Sequence, residues 1–178
     1  MMMSALKAGG LPLLVDDIRT ADANNPKGYY EYEPVKRLAR DDTDWLTLAP
    51  SKAVKIISAL LEFLPEKYQY RVIFMERDID EILSSQKRML VRNAVVEEKP
   101  VSDEELSRSY ENHLWEVKSF LKKQKTMKTL YLSYNDVLQY PYEAFEGVAR
   151  FLNRSLDIEK MAHVVDPGLY RERKLGKR

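Results

Sequence analysis

Apolar residues form three short, nearly continuous runs along the chain, and these runs predict strands. They cover residues 53–59 (AVKIISA), 70–76 (YRVIFME) and 129–134 (TLYLSY), and they are rich in β-branched or aromatic residues. Runs of this kind are typical of strands that are buried on both faces of a parallel sheet. A further short run, residues 11–15 (LPLLV), is expected to be extended.

Helices are predicted around these strands from apolar stripes at helical spacing and from charge and capping signals. The clearest helix covers residues 78–93, which begin with acidic and end with basic side chains. Ser102 and Glu105 form a capping box that opens a second long helix, to about Lys123. Shorter helices are predicted at residues 1–8, 34–40, 142–153 and 157–165. Alternating strands and helices imply one layered α/β domain over residues 1–178.

Composition and charge narrow the classes of function. The chain has 29 basic and 28 acidic residues, so its net charge of +1 gives no overall attraction to nucleic acid or anionic membranes. With no cysteine and two histidines, it has no disulfide framework, thiolate zinc site or histidine-rich metal centre. No apolar run reaches the roughly 18 residues of a membrane span, and no signal-peptide pattern opens the chain. We therefore expect a cytoplasmic protein that binds neither nucleic acid nor a metal.

The first candidate site follows the second predicted strand, because ligands of open parallel sheets bind at the carboxyl ends of the strands. Arg77 lies there, directly before a helix, and Ser85 follows about two helical turns later. A forked guanidinium and a hydroxyl on the same side suit one phosphate group. The alternative is an ion pair between Arg77 and a nearby carboxylate, beside a serine that only fills space. Those carboxylates are Asp78, Asp80 and Glu81.

Other candidates each allow a functional and a structural interpretation. Lys55 interrupts the first strand, where a buried ammonium needs an anion and an edge position would let it reach water. Tyr134 ends the third strand, where it would contact a nucleotide base or cover the core. His113 lies on the apolar side of its helix and is interpreted as a core residue. In the basic tail, Arg171 and Arg173 are either solvated or folded back onto an anion.

The order of these segments resembles that of the cytosolic-type sulfotransferases. In that family a strand with a lysine leads through a leucine-proline segment to a strand ending in Arg, as in AVKIISALLEFLP and YRVIFMERDIDEILSSQKRM here. TLYLSYNDVLQYPYEAFEGVARFLN resembles the family's next block, and NNPKGYYEYEPVKRL is similar to a segment of small bacterial sulfotransferase-like proteins. The resemblance covers residues 1 to about 173. It implies a three-layer α/β sandwich with a mainly parallel sheet, of the P-loop-NTPase-like kind.

The resemblance also implies a cofactor and a set of site residues. The sulfuryl donor would be 3′-phosphoadenosine 5′-phosphosulfate (PAPS), and no metal is required. Arg77 and Ser85 match the residues that hold its 3′-phosphate, and Tyr134 matches the residue that contacts the adenine. Lys55 matches the lysine beside the transferred sulfuryl group. The acceptor would be a hydroxyl or amine of a small molecule, carbohydrate or lipid.

Three features depart from the family pattern or match it loosely. The family's phosphosulfate loop precedes its first helix, whereas this chain begins at Met1 within that helix. Its six glycines are scattered, and the sequence contains neither a GxxxxGK[ST] nor a GxGxxG motif. We therefore expect an N-terminally truncated domain that lacks the first strand and loop and has impaired activity. The family's histidine base is replaced by Ile57, so Glu31 is predicted as the base, although it would equally serve as a helix cap. Arg171 and Arg173 match a C-terminal 3′-phosphate-binding segment only loosely.

Two other functions stay open. A noncatalytic nucleotide- or 3′-phosphate-binding module would bind adenosine 3′,5′-bisphosphate without turning over PAPS. A P-loop kinase fragment would prefer ATP and depend on magnesium, and the pairing of Arg77 with Ser85 argues against it. Comparing PAPS turnover by this chain and by a protein extended upstream of Met1 would show whether a missing loop limits the activity of the present chain.

Overall fold

The computed structural model describes residues 1–16, 18–22, 25–92, 102–166 and 168. It shows a mixed α/β protein with two parallel strands, β1 (Tyr70–Glu76) and β2 (Met127–Ser133). The seven residues of each strand pair one to one along their whole length. Both strands correspond to predicted apolar runs, and their parallel pairing requires a long crossover connection.

The α-helices within these residues are α1 (Met2–Ala8), α2 (Ile79–Arg92), α3 (Asp103–Lys123), α4 (Tyr134–Gln139), α5 (Pro141–Leu152) and α6 (Ile158–His163). Helices α2 and α3 lie in the crossover from β1 to β2. Between α1 and β1 are 3₁₀ helices at Glu33–Arg40, which contains the helix predicted from Pro34, and at Asp44–Leu48 and Ser58–Phe63. None of the described helices combines the length and apolar character that crossing a membrane requires.

Local signals explain where the long helices begin. The Ser102 hydroxyl accepts a hydrogen bond from the Glu105 amide, and the Glu105 carboxylate accepts one from the Ser102 amide, both at 3.2 Å. The predicted capping box is therefore confirmed, and α3 begins directly after it. Pro141 begins α5, where its fixed φ suits the first helical turn.

The prediction of a strand at residues 53–59 is wrong. Among the described residues of that segment only Ala53 pairs, in an isolated parallel bridge with Leu13, and a 3₁₀ helix follows. Val54 and Ile56 are partly buried against the apolar core. The apolar run therefore reflects the burial of a short extended segment, and periodicity alone cannot distinguish this from a strand.

The third predicted strand ends one residue early, which changes the position of Tyr134. The hydroxyl of Ser133 accepts a hydrogen bond from the Asp136 amide at 3.2 Å and so caps α4. This cap ends β2 at Ser133 and makes Tyr134 the first residue of α4. Tyr134 still lies directly beyond the carboxyl end of the strand.

Each face of the sheet is covered by an apolar core. On one face Phe74 packs with side chains of α3 and the 3₁₀ helices. On the other face Ile73 and Met75 pack with α1, α5 and α6, around the fully buried Phe145. Burial on both faces explains why the two strands read as continuous apolar runs.

Candidate functional site

Lys55 and Glu31, the two residues predicted to be catalytic, lie in direct contact. Lys55 Nζ is 3.4 Å from Glu31 Oε1 and donates a hydrogen bond to the Tyr29 carbonyl oxygen at 3.1 Å. The lysine is only partly buried, and it has both a charged and a neutral acceptor. These contacts satisfy the requirement that a part-buried ammonium be paired.

The backbone around Glu31 is fixed by Asp16. The Asp16 amide donates to the Glu31 carbonyl at 3.0 Å, and the Asp16 carboxylate accepts from the Glu33 amide at 2.5 Å. Asp16, rather than Glu31, therefore supplies the carboxylate at the start of the 3₁₀ helix Glu33–Arg40. The Glu31 side chain is directed to cations instead of capping that helix.

Arg19 is a further member of this cluster. Its Nη1 lies 3.2 Å from the same Glu31 Oε1 that contacts Lys55, and its guanidinium carbon lies 3.4 Å from the centre of the Tyr29 ring. The Tyr29 hydroxyl donates to Asp22 Oδ2 at 2.8 Å. Arg19, Tyr29, Glu31 and Lys55 are called the Lys55 cluster below.

Sequence reasoning missed Arg19 because no local signal distinguishes it from a solvated arginine. Its segment has no apolar periodicity, and its partner Glu31 is 12 residues away. The two meet only because the chain turns through Gly28 and Tyr30, both with positive φ (84° and 53°). A left-handed conformation is ordinary for glycine and uncommon for tyrosine, so this turn could not be predicted from Tyr30.

Positive charge also extends from the Lys55 cluster toward the start of α1. Burial, followed by the positive charges of Lys27 and Lys55, lowers the pKa of the Met1 amino group. Lys27 donates to the Val164 carbonyl at 2.8 Å and lies 3.8 Å from Asp166 Oδ2. Lys27, Lys55 and Met1, the residue directly before α1, therefore share one region.

Arg77 and Tyr134, two of the predicted nucleotide-binding residues, form a second cluster. The Arg77 guanidinium lies 4.9 Å from the centre of the Tyr134 ring, and Arg77 Nε lies 3.2 Å from Glu81 Oε2. Asn135 Nδ2 lies 3.5 Å from Glu81 Oε1. Arg77, Glu81, Tyr134 and Asn135 are called the Arg77 cluster below. Of the two interpretations of Arg77 from the sequence, the ion pair with a nearby carboxylate is present in the structure.

Burial shapes the electrostatics of the Arg77 cluster. Glu81 is 3% exposed, whereas the Arg77 side chain is 27% exposed. Burial raises the pKa of the Tyr134 hydroxyl, and the positive charge of Arg77 acts in the opposite direction. Tyr134 therefore stays neutral at physiological pH and presents an uncharged ring face to the guanidinium.

The other predicted site residues lie apart from these contacts or outside the described chain. The Ser85 side chain is exposed on α2. Arg171 and Arg173 lie outside the described residues. Ile57, which stands where the family has its histidine base, is 61% exposed. His113 is half-buried, with Nε2 2.8 Å from the Ser58 hydroxyl, so it has a polar partner, as expected for a structural histidine.

Two further observations concern ligands. Within the described residues no group of three or more histidine or carboxylate side chains is arranged to hold a metal ion. A shallow cavity of about 430 Å³ runs along α3 beside His113 and Glu116, and its described lining contains none of the predicted site residues.

Comparison of the chain with protein-family models, with curated proteins and with solved structures finds no significant match. The likeness to sulfotransferases therefore rests on the order of the sequence segments. The contacts within the Lys55 and Arg77 clusters are the structural observations that bear on it.

Proposed function

We propose that this chain is a sulfotransferase-type α/β domain that transfers a sulfuryl group from PAPS to a hydroxyl or amine. The observation that carries the proposal is the contact between Lys55 and Glu31 at 3.4 Å. The two residues are 24 positions apart, and each was assigned a catalytic role from a different segment of the sequence. Their meeting is not required by any local signal.

The chemistry assigned to this pair is an in-line displacement at sulfur. The acceptor oxygen or nitrogen forms a bond to sulfur while the bond from sulfur to the bridging oxygen of PAPS breaks. Glu31 takes the acceptor's proton, and the electron pair leaves on the 5′-phosphate of adenosine 3′,5′-bisphosphate. Lys55 stabilises the negative charge that develops on that oxygen. The contact with Glu31 holds the flexible lysine in position before the donor binds.

The Arg77 cluster is assigned to the nucleotide end of the donor. A guanidinium carries five N–H donors in a fixed fork and binds phosphate through two of them, so contact with Glu81 through Nε is compatible with a phosphate ligand. Tyr134 lies against the same guanidinium and offers a ring for the adenine. Arg77 and Tyr134 follow the adjacent carboxyl ends of β1 and β2, where ligands of open parallel sheets bind.

We assign the two parallel strands, with an apolar core on each face, to a three-layer sandwich of the P-loop-NTPase-like kind. The acceptor is proposed to be a small molecule, carbohydrate or lipid, since no nucleic-acid-binding charge excess exists in the chain.

Transfer from radiolabelled PAPS to 2-naphthol and to glucosamine tests the proposal with one hydroxyl and one amine acceptor. We expect Glu31→Gln and Lys55→Met each to lower the rate by about 100-fold or more, the usual range for a lost general base and for a lost group that stabilises developing charge. Lys36→Met is the matched control, because Lys36 forms an exposed ion pair with Glu33 at 2.7 Å close to the same segment.

Three results would contradict the assignment. Turnover that Lys55→Met and Glu31→Gln leave unchanged would exclude these residues from catalysis. Tight binding of adenosine 3′,5′-bisphosphate without any turnover of PAPS would favour the noncatalytic nucleotide-binding module. Preference for ATP with a magnesium requirement would favour a kinase.

A further inference from the structure

Glu81 is a buried charge at the centre of the Arg77 cluster. Among the described residues it is the only ionisable side chain in the buried class, at 3% exposure. Its two oxygens lie within reach of Arg77 Nε, at 3.2 Å, and Asn135 Nδ2, at 3.5 Å. A carboxylate removed from water is costly unless it is paired, and Arg77 is one of the groups that pair with Glu81.

The same guanidinium faces two anions when a nucleotide binds. The Arg77 side chain is 27% exposed and is therefore partly accessible to solvent, whereas Glu81 is 3% exposed. Part of the guanidinium's charge is then already balanced by Glu81. In addition, the negative charge of Glu81 repels the phosphate, and salt screens a buried charge much less than an exposed one.

We propose that Glu81 competes with the nucleotide's 3′-phosphate for Arg77 and thereby limits the affinity of the site for that phosphate. The inference rests on the proposed function, in which Arg77 receives the 3′-phosphate of the donor. Glu81 was expected from the sequence only as a structural ion-pair partner of Arg77, whereas the inference gives it a direct effect on the ligand: Glu81 weakens binding. A purely structural role for Glu81 predicts the opposite, because its loss would disturb Arg77 and weaken the ligand.

Calorimetric titration of Glu81→Gln with adenosine 3′,5′-bisphosphate and with AMP tests whether Glu81 weakens or strengthens binding of the 3′-phosphate. Glutamine keeps the size of the side chain and one acceptor oxygen for Arg77 Nε, but it removes the charge. We expect the Kd for the bisphosphate to fall by about fivefold to tenfold, as for one unit charge removed a few ångströms from a partly screened anion. The Kd for AMP should change by less than about twofold.

The matched control is Asp42→Asn. Asp42 accepts from Arg37 Nε at 2.6 Å, so it belongs to another arginine–carboxylate pair that contacts through Nε, in an exposed position outside both clusters. Asp42→Asn should leave both Kd values unchanged. If it tightens bisphosphate binding as much as Glu81→Gln does, the effect is a general change in net charge and the inference is wrong.

The titrations separate the inference from the proposed function. If the parent chain prefers the bisphosphate over AMP but Glu81→Gln binds it equally or more weakly, the inference is wrong and the 3′-phosphate site stands. If only Glu81→Gln shows the preference, Glu81 competes as inferred, and the parent chain is not a bisphosphate-binding protein. If neither protein shows it, both the site and the inference are wrong.

A second measurement does not depend on the folding of the variant. The Nε–Hε resonance of Arg77 in the parent chain, assigned by its loss in Arg77→Ala, reports on the contact with Glu81. Competition predicts that adenosine 3′,5′-bisphosphate shifts this resonance and that AMP does not. An Arg77 resonance that saturating bisphosphate leaves in place would overturn the inference.

Discussion

At the scale of single residues, both clusters hold a cation against a carboxylate before any ligand is present. Arg19 and Lys55 contact one oxygen of Glu31, and Arg77 contacts Glu81. These contacts restrict long side chains, which lowers the entropy lost when an anion binds. They also reduce the positive charge available to that anion. The same carboxylates therefore affect both the position of the cationic side chains and their affinity for an anion.

Arg77→Ala is predicted to change nucleotide selectivity rather than nucleotide binding in general. Loss of a charge-assisted contact, about 1.5–3 kcal/mol, would raise the Kd for adenosine 3′,5′-bisphosphate by about tenfold to 150-fold. AMP lacks the 3′-phosphate and should be affected little. Calorimetric titration of both ligands checks this, with Arg37→Ala as the control for loss of an exposed arginine. Equal weakening of the two ligands would show that Arg77 does not bind the 3′-phosphate.

The sequence identifies candidate site residues, but it does not determine which side chains contact them. Spacing placed Arg77 and Tyr134 at strand ends, but whether Arg77 meets a carboxylate or only a ligand depends on how α2 packs, which spacing does not reveal. Glu81 is buried although acidic residues in a first helical turn are usually solvated. Arg19 joins the Lys55 cluster through a turn with positive φ at Tyr30, a conformation that tyrosine does not signal.

At the scale of elements, β1 begins at Tyr70, whose side chain is hydrogen-bonded to the preceding loop. The Tyr70 hydroxyl donates to the Pro65 carbonyl at 2.8 Å, and burial, followed by the neighbouring Tyr68, raises the pKa of Tyr70 to about 12. The pKa of a tyrosine in an unfolded chain is about 10. The neutral hydroxyl therefore stabilises the native state below pH 10, and this contribution is lost as the pH rises toward 12.

Tyr70→Phe is predicted to remove that alkaline sensitivity. At pH 7 the variant should lose about 1 kcal/mol of unfolding free energy, the usual net contribution of one hydrogen bond. Between pH 7 and pH 11.5 it should then lose less further stability than the parent chain does. Urea unfolding at the two pH values measures this, with Tyr142→Phe as an exposed control. Parallel losses in the parent chain and Tyr70→Phe would contradict the assigned pKa.

Elements with strong local signals could be predicted, and elements defined by a partner could not. The capping box at Ser102 and the apolar runs of β1 and β2 are local signals that determine the secondary structure of the segments that contain them. Residues 53–59 have equally strong apolar character, yet a strand also needs a neighbour to pair with, and the bridge to Leu13 is isolated. Ser133 ended β2 early because a serine that follows a strand can cap the next helix.

At the scale of the whole molecule, the proposed donor requires that one ligand reach both clusters. Its 3′-phosphate is assigned to Arg77, and the transferred sulfuryl group is assigned to Lys55. Ala53, two residues before Lys55, packs in the same apolar core as Leu132 of β2. The neighbouring Val54 and Ile56 pack against the core on the other face of the sheet, so the segment that carries Lys55 contributes side chains to both cores. Strand β2 leads directly to Tyr134.

The most direct test of this arrangement is a crystal structure of the chain with adenosine 3′,5′-bisphosphate. We predict the 3′-phosphate at hydrogen-bonding distance, about 3 Å, from the Arg77 guanidinium, the adenine against Tyr134, and the 5′-phosphate directed toward Lys55. A nucleotide bound elsewhere, or one whose 3′-phosphate does not touch Arg77, would contradict the account.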